Sequence, residues 1–376
     1  MKLLPRILSA VVSSAFLINA GAASAFLFSD HAYAAISNKK KTQTTQKPSA
    51  NKPQDVHYLE WQEVQTFIAQ MQTQHQFSAV QLQQIFENAR HMESAVQLVK
   101  PAPPGKPKNW KAYRARFVEN GRIAAGVAFW ERNQDALKRA ENVYGVPADI
   151  IVGLIGVETI YGKNTGSFRA IDALTTLAFS YPETPTREAR TNFFKNELAQ
   201  LLLHVRESGS DIYSIKSSYA GAIGLAQFMP SSLRQFAVDF DADNKIDLKE
   251  SEADAIGSVA NYLAKHGWKK DQPYAFAATL LDQDPASIPL KEALNQGLKT
   301  SYSIDDLKSV VSTADDKAPR HLKYGLIDLQ NGEDPTEYWF ATDNFFAITK
   351  YNRSYFYAMS VIDLGNVIAL ARQKEQ

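Results

Sequence analysis

The stretch IIVGLIGVETIYGKNTG, residues 150 to 166, places a carboxylate, Glu158, at the end of an apolar run. An ionised glutamate in an apolar setting is costly unless it is paired. If the run is helical, Leu154 and Ile155 lie one turn before Glu158, and the carboxyl group emerges from a hydrophobic stripe. Burial then raises its pKa, as a general acid at neutral pH requires. The run also fits a buried strand, and Glu158 also fits a structural role, paired with a buried arginine or capping a neighbouring helix.

Apolar residues spaced three and four apart predict amphipathic helices on both sides of this stretch. The segments are 60–77, 78–92, 121–145, 193–208 and 252–268, and Gly145 is expected to end the third. Near the C-terminus the character changes, because three segments are rich in aromatic and β-branched residues. These are LKYGLIDL (322–329), TEYWFAT (336–342) and FFAITKY (345–351), with QNGEDP as a turn between the first two. The sequence therefore predicts a mainly helical α+β fold with a small antiparallel β-sheet formed by a late segment, about 300–350.

The N-terminal region predicts export. Lys2 and Arg6 precede an apolar stretch over 7–28, and small-residue cleavage sites occur within it at 23–25 and after it at 32–34. This order is typical of a secretory signal peptide, which we place at 1–34, with a retained membrane anchor as the alternative. Residues 35–54 are polar and rich in lysine, as in a flexible linker, and the catalytic region is expected to span 55–376.

Composition excludes several classes of function. The 376 residues include no cysteine, which rules out disulfides, thiol catalysis, thiolate metal sites and a lipoprotein anchor. The net charge of +1 gives no reason to expect nucleic acid as a partner. The length allows one or two domains with a large core.

A second stretch, SSYAGAIGLAQFMPSS at 217–232, combines small residues with a few polar ones. The small residues permit close approach of the backbone, either to a packed helix or to a bulky ligand. Ser218 and Gln227 are suited to hydrogen bonds with sugar hydroxyl or N-acetyl groups.

A third stretch, DFDADNKIDLKE at 239–250, has the spacing of an EF-hand loop. Asn244 replaces the usual glycine, which is a mild change because asparagine tolerates a left-handed backbone. A solvated acidic turn is the alternative. The ligands that this spacing predicts for calcium are Asp239, Asp241, Asp243, the carbonyl of Lys245, and Glu250.

Four motifs in one order resemble the lytic murein transglycosylase B family of peptidoglycan-cleaving enzymes. They are GVET, AGAIGLAQFMPSS, DAIGSVANYLAKHGW and YNRSYFYAM, and the resemblance runs from about residue 55 to the C-terminus. It implies a lysozyme-like helical core with an additional helical region, and Glu158 as the catalytic acid/base. The saccharide-contacting residues it implies are Tyr113, Arg190, Ser218, Gln227, Tyr262, Asn352 and Tyr357. It also implies Asp254 as the last calcium ligand, in competition with Glu250.

The resemblance further implies the reaction and its setting. Glycosidases usually use two carboxylates, whereas a lytic transglycosylase uses one and forms 1,6-anhydromuramoyl ends without consuming water. The alternatives are a hydrolytic muramidase and a non-enzymatic, calcium-dependent peptidoglycan-binding protein. We expect a periplasmic monomer with structural calcium and no organic cofactor. Peptidoglycan glycan strands are the expected substrate, and other cell-wall enzymes are candidate partners.

Overall fold

The computed structural model describes residues 56–101, 107–281, 287–313 and 318–375. The predicted signal peptide and linker, 1–34 and 35–54, lie outside the described residues. The helices are α1 (Gln62–His75), α2 (Ala79–Glu87), α3 (Glu93–Leu98), α4 (Trp110–Arg114), α5 (Asn120–Arg132), α6 (Gln134–Tyr144), α7 (Ala148–Thr159), α8 (Ala170–Phe179), α9 (Arg187–Ser208), α10 (Pro230–Phe236), α11 (Glu252–Lys265), α12 (Ile288–Leu294), α13 (Ile304–Leu307), α14 (Asp343–Tyr351) and α15 (Tyr355–Glu375). The strands are β1 (Phe168–Arg169), β2 (Lys216–Ser217), β3 (Ala275–Leu280), β4 (Val311–Thr313), β5 (Gly325–Asn331) and β6 (Asp334–Ala341).

The predicted mainly helical fold with a small antiparallel sheet is confirmed. The segment 121–145 forms two helices rather than one: α5 ends at Arg132 and α6 begins at Gln134. The side-chain amide of Asn133, between them, donates to the carbonyl of Phe129 at 2.9 Å. Gly145 ends α6 with a left-handed φ of 71°, as predicted.

The late sheet has four antiparallel strands in the order β4-β3-β6-β5. Strands β5 and β6 form the predicted hairpin, whereas β3 was not among the predicted segments. The strand-like composition of 345–351 was misleading, since this segment lies in helix α14. Thr342 begins that helix by accepting the N–H of Asn344, and the aromatic residues Phe345 and Phe346 are buried in the core. Burial against the tertiary structure outweighs their β-propensity.

Helix α7 runs through the middle of the main hydrophobic core. Apart from Asp149, each of its residues is buried. Its packing against α15 is close because two glycines face the partner helix. A Cβ added at Gly153 would lie 2.3 Å from the carbonyl oxygen of Val361, and one at Gly365 would lie 2.2 Å from that of Asp149. This contact brings the C-terminal end of α7 close to the N-terminal end of α15.

The sheet has its own smaller apolar cluster and also fixes helix α4. Tyr324, Leu326 and Phe340 are fully buried in that cluster. At the β5–β6 turn, buried Asn331 accepts the N–H of Lys111 at 2.9 Å through its side-chain oxygen. The hairpin thereby holds the start of α4, which carries Tyr113.

In the described ranges, no single helix is long and apolar enough to cross a membrane. Two bent pairs of helices, α6 with α7 and α14 with α15, have together the length and the apolar composition of a membrane span.

Candidate active site

The end of helix α7 is held by a buried cation and a left-handed turn. The guanidinium of Arg122, on α5, donates to the carbonyl oxygens of Gly156 at 2.7 Å and Val157 at 3.3 Å. A cation at a helix C-terminus is favourable because the last carbonyls carry partial negative charge. Ile160 and Tyr161 then adopt left-handed φ angles of 53° and 55°, which end the helix directly after Thr159.

Glu158 lies in the last turn of α7 and is only 4% exposed. The hydroxyl of Tyr357, on α15, donates to its Oε1 at 2.5 Å. Burial raises the pKa of Glu158 from 4.5 to about 8, and the hydrogen bond from Tyr357 acts in the opposite direction. The carboxyl group is therefore protonated at neutral pH, as the sequence predicted for a general acid.

Tyrosines surround this carboxyl group. Tyr351 and Tyr357 are both buried, and burial followed by the nearby charge of Glu158 raises the pKa of each phenol. Tyr113, also buried, lies close enough that its own charge would raise the pKa of Tyr357. The guanidinium of Arg116 stacks 4.3 Å above the ring of Tyr113. Glu158, Tyr357 and Tyr113 thus come together from three helices.

The segment 217–232 packs against the end of α7. Ser218 accepts the backbone N–H groups of Ala222 at 3.1 Å and Ala220 at 3.4 Å through its hydroxyl, which forms a tight turn. Gln227 has a left-handed φ of 49°, and its side-chain amide donates to the carbonyls of Gly224 at 2.9 Å and Thr165 at 3.2 Å. Both predicted side chains are nearly buried, so their orientation is set by the protein itself.

The remaining predicted saccharide contacts lie at different depths. Asn352 follows Tyr351 at the end of α14 and is 3% exposed. Arg190 is half-buried in the first turn of α9. It lies near Tyr219, the neighbour of Ser218: burial raises the pKa of Tyr219, and the charge of Arg190 acts to lower it. Tyr262 is 2% exposed, and its hydroxyl donates to the carbonyl of Lys350 at 2.8 Å. Its ring packs edge-to-face against that of Tyr351, with the ring centroids 4.8 Å apart.

Three carboxylates of the predicted cation loop converge. Oxygen atoms of Asp239, Asp241 and Asp254 lie within 4.8 Å of one another. Both oxygens of buried Asp254 accept backbone N–H groups of the loop, from Phe240 at 2.6 Å and Asp247 at 2.8 Å. Glu250 is exposed and forms an ion pair with Lys249, outside this cluster.

Two further predicted loop residues shape the backbone. The carboxylate of Asp243 accepts the N–H of Lys245 at 2.8 Å, while its own N–H donates to Asp239 at 3.2 Å. Asn244 has the left-handed φ of 70° that the replacement of glycine predicted. Its N–H donates to Asp239 at 2.8 Å. A loop of this form orients hard oxygen donors inward, which suits a cation such as calcium.

The cation loop also contacts the 217–232 segment. The N–H of Leu225 donates to the carbonyl of Leu248 at 2.7 Å. A Cβ at Gly224 would lie 2.3 Å from that carbonyl oxygen, so only glycine allows this close approach. The two regions are therefore one connected structure.

Comparison with known proteins assigns the chain. A family model described as "Transglycosylase SLT domain" matches residues 60–366. The chain belongs to this family. It is 42% identical to the membrane-bound lytic murein transglycosylase B of Escherichia coli over 317 residues, which covers 82% of this chain and 83% of that protein. The predicted resemblance to lytic murein transglycosylases, and with it the prediction of an enzyme, is confirmed.

Solved structures of transglycosylases have the same fold. The soluble lytic transglycosylase SltB1 from Pseudomonas aeruginosa is 40% identical, with a TM-score of 0.74, covering 83% of this chain and 99% of that one. The Escherichia coli lytic transglycosylase Slt35, solved in complex with calcium, is 40% identical with a TM-score of 0.72. That match covers 83% of this chain and 94% of the other.

Three residues that shape the candidate active site were not predicted. Tyr351 precedes Asn352 in the motif YNRSYFYAM, and Thr159 follows Glu158 in the motif GVET. Both were therefore within reach of sequence reasoning. Arg122 had no signal, because a single arginine in an amphipathic helix is usually on a solvated face.

Proposed function

We propose that this chain cleaves the β-1,4 bond between N-acetylmuramic acid and N-acetylglucosamine in peptidoglycan, with Glu158 as its single acid/base. The observation that supports this most strongly is the buried carboxyl group hydrogen-bonded to Tyr357, with its pKa raised to about 8. A general acid works best when its pKa lies near the working pH. The family to which the chain belongs provides the reaction class.

In the first step, Glu158 gives its proton to the glycosidic oxygen, and the bond from that oxygen to the anomeric carbon of the muramic acid breaks. The resulting carboxylate then takes the proton of the C6 hydroxyl of the same sugar. The C6 oxygen bonds to the anomeric carbon, which yields a 1,6-anhydro ring and restores the protonated Glu158. Attack within one sugar has a high effective molarity, so no protein nucleophile is required.

Several of the predicted saccharide contacts are proposed to hold the glycan. Ser218, Gln227 and Asn352 offer polar groups, and Tyr113 offers an aromatic face for a sugar ring. Tyr357 positions the carboxyl group through its hydrogen bond. Arg190 is proposed to contact the saccharide beside Tyr219, and Tyr262 to stabilise the site through Tyr351.

Calcium is proposed as a structural ion in the 239–254 loop. The donor set fits, since the clustered oxygens of Asp239, Asp241 and Asp254 are hard ligands of the type that calcium prefers. The Lys245 carbonyl and Asp243 are proposed to complete the shell, and Asp254 rather than Glu250 to close it. A bound cation would neutralise the mutual repulsion of these carboxylates and so fix the loop against Leu225.

The proposed setting is the periplasm, reached through a signal peptide in residues 1–34. The substrate is the glycan strand of peptidoglycan, and we propose that the chain acts as a monomer, with other cell-wall enzymes as further partners. The relative from Escherichia coli is named as membrane-bound and as acting on murein.

Mass spectrometry of digested cell-wall sacculi tests this function. A transglycosylase releases fragments with anhydromuramoyl ends, whereas a hydrolytic muramidase releases reducing ends that are heavier by one water. We expect anhydro products alone from the purified chain. Reducing ends as the main product would assign the chain as a muramidase, and no release of fragments would favour a binding protein.

A further inference from the structure

We propose that Thr159 is a positioning residue, which sets the separation between the carboxyl group of Glu158 and the 217–232 segment. This inference rests on the proposed function, because that segment is the one proposed to hold the glycan. Thr159 does not contact substrate in this proposal. It acts through the two structures that it joins.

The side chain of Thr159 is fully buried and makes contacts in two directions. Its hydroxyl lies 3.0 Å from the carbonyl oxygen of Leu225 and 3.3 Å from that of Ile155, its own helix. The hydroxyl oxygen also accepts the N–H of Gly162 at 3.1 Å. A single hydroxyl therefore connects the last turn of α7, the turn that follows it, and the 217–232 segment.

The turn after Thr159 needs such a contact to keep its shape. Ile160 has a left-handed φ of 53°, a conformation that a β-branched residue rarely adopts because of steric conflict. Tyr161 is also left-handed, so two consecutive unfavourable residues follow the catalytic turn. Strained backbone of this kind persists only when the surrounding structure holds it. The bond from Gly162 to the Thr159 hydroxyl is one of the contacts that hold it.

Leu225 is held by other parts of the protein as well as by Thr159. The bond from Thr159 to the Leu225 carbonyl therefore sets a fixed distance between α7 and the 217–232 segment. The N–H of Leu225 is bound to the carbonyl of Leu248, and the hydroxyl of Tyr351 donates to the carbonyl of the next residue, Ala226. The segment is thus held by the cation loop and by α14. The hydroxyl of Thr159, the residue after Glu158, fixes the position of the 217–232 segment relative to α7. Loss of that bond would let the acid shift relative to the glycosidic oxygen.

Two variants separate this role from simple packing. Thr159→Val has nearly the same shape but no hydroxyl, whereas Thr159→Ser keeps the hydroxyl and loses a methyl group. We expect the kcat of Thr159→Val on purified glycan strands to fall by about tenfold to hundredfold, since small misplacement of a reacting group has effects of this size. KM should stay within about twofold, because the segment itself remains folded. Thr159→Ser should retain a kcat within about threefold of the wild type and so rescue the defect.

The fraction of folded protein, measured by circular dichroism at the assay temperature, corrects each kcat. Equal corrected kcat values for the two variants would overturn the proposal, as would a loss in Thr159→Val that disappears after this correction. Failure of the proposed function gives a different result, namely wild-type protein that releases no anhydro products. The two outcomes are read from different samples and cannot be confused.

Discussion

Glu158 and the 239–254 loop use carboxylates in opposite ways. Glu158 is a single acid enclosed by buried tyrosines, and burial raises its pKa to about 8. In the loop, three aspartates lie close together, of which Asp241 is exposed, Asp239 is half-buried and Asp254 is buried. Asp241 is fully exposed, and a hydrogen bond from Ser251 lowers its pKa.

The contrast follows from the cost of charge. Removing an acid from water favours its neutral form, which keeps a proton available for transfer. In the loop, burial likewise raises the pKa of Asp254, but exposed Asp241 lies beside it, and a bound cation would relieve the repulsion between such clustered carboxylates. The proposed proton transfer and the proposed cation site therefore lie in separate regions, and Leu225 links the two through its N–H and carbonyl groups.

The largest expected effect is on activity, through Glu158→Gln. Glutamine keeps the size and hydrogen bonding of the side chain but has no proton to transfer. General acid–base help is worth roughly two to four orders of magnitude in rate. Because one group serves both steps, we expect a loss at or beyond the upper end, measured as release of anhydromuropeptides from sacculi. Glu250→Gln makes the same chemical change on an exposed carboxylate and should keep wild-type activity.

A Glu158→Gln protein with near-normal turnover would remove the acid/base assignment. It would also remove the contrast between Glu158 and the 239–254 loop, because Glu158 would then have no role in proton transfer. Retained binding of glycan strands by the inactive variant is the expected accompanying result.

The second effect is on stability and depends on pH. The folded state keeps the proton of Glu158 up to a pKa of about 8, whereas the unfolded chain loses it near 4.5. Wild-type stability should therefore fall as pH rises between these values, while Glu158→Gln is free of this contribution. Urea unfolding at pH 5 and pH 8.5 should show the variant gaining on the wild type by up to roughly 4 kcal/mol.

An ion-paired Glu158 predicts the reverse. Its pKa would lie below 4.5 in the folded state, and the wild type would be favoured over the variant above that pH. A stability advantage of the wild type over Glu158→Gln that grows from pH 5 to pH 8.5 would thus assign Glu158 a structural role.

The third and smallest effect is that of calcium on the loop. A ligand at a hundredfold excess over its Kd stabilises a protein by about 2.7 kcal/mol, which amounts to several degrees in Tm. We expect calcium to raise the Tm of the wild type and of Glu250→Gln relative to a chelator. Asp241→Asn should lose this response. The two variants are matched, because each removes one negative charge from an exposed side chain of the same loop. An equal response in both variants would contradict the proposed ligand set.

Much of the site could be predicted because its residues lie in short continuous motifs. The apolar run before Glu158 predicted its burial, and the spacing of Asp239 and Asp241 predicted a cation loop. Asp254 came only from the family resemblance, and the structure places it in the cluster while Glu250 points to another partner. The strand-like segment 345–351 shows the limit of composition, because burial of its aromatic residues is satisfied equally by a helix.

The sequence by itself determined the helical class of the fold, the acid at the end of α7 and the acidic loop, because each depends on neighbours a few residues away. Tertiary structure decided what these features face. Gly153 and Gly365 let two helices approach so closely that Tyr357 reaches Glu158, from 199 positions further along the chain. Arg122 caps the same helix from a third element. Such contacts depend on packing between distant segments, and local periodicity carries no information about which partner a buried face will meet.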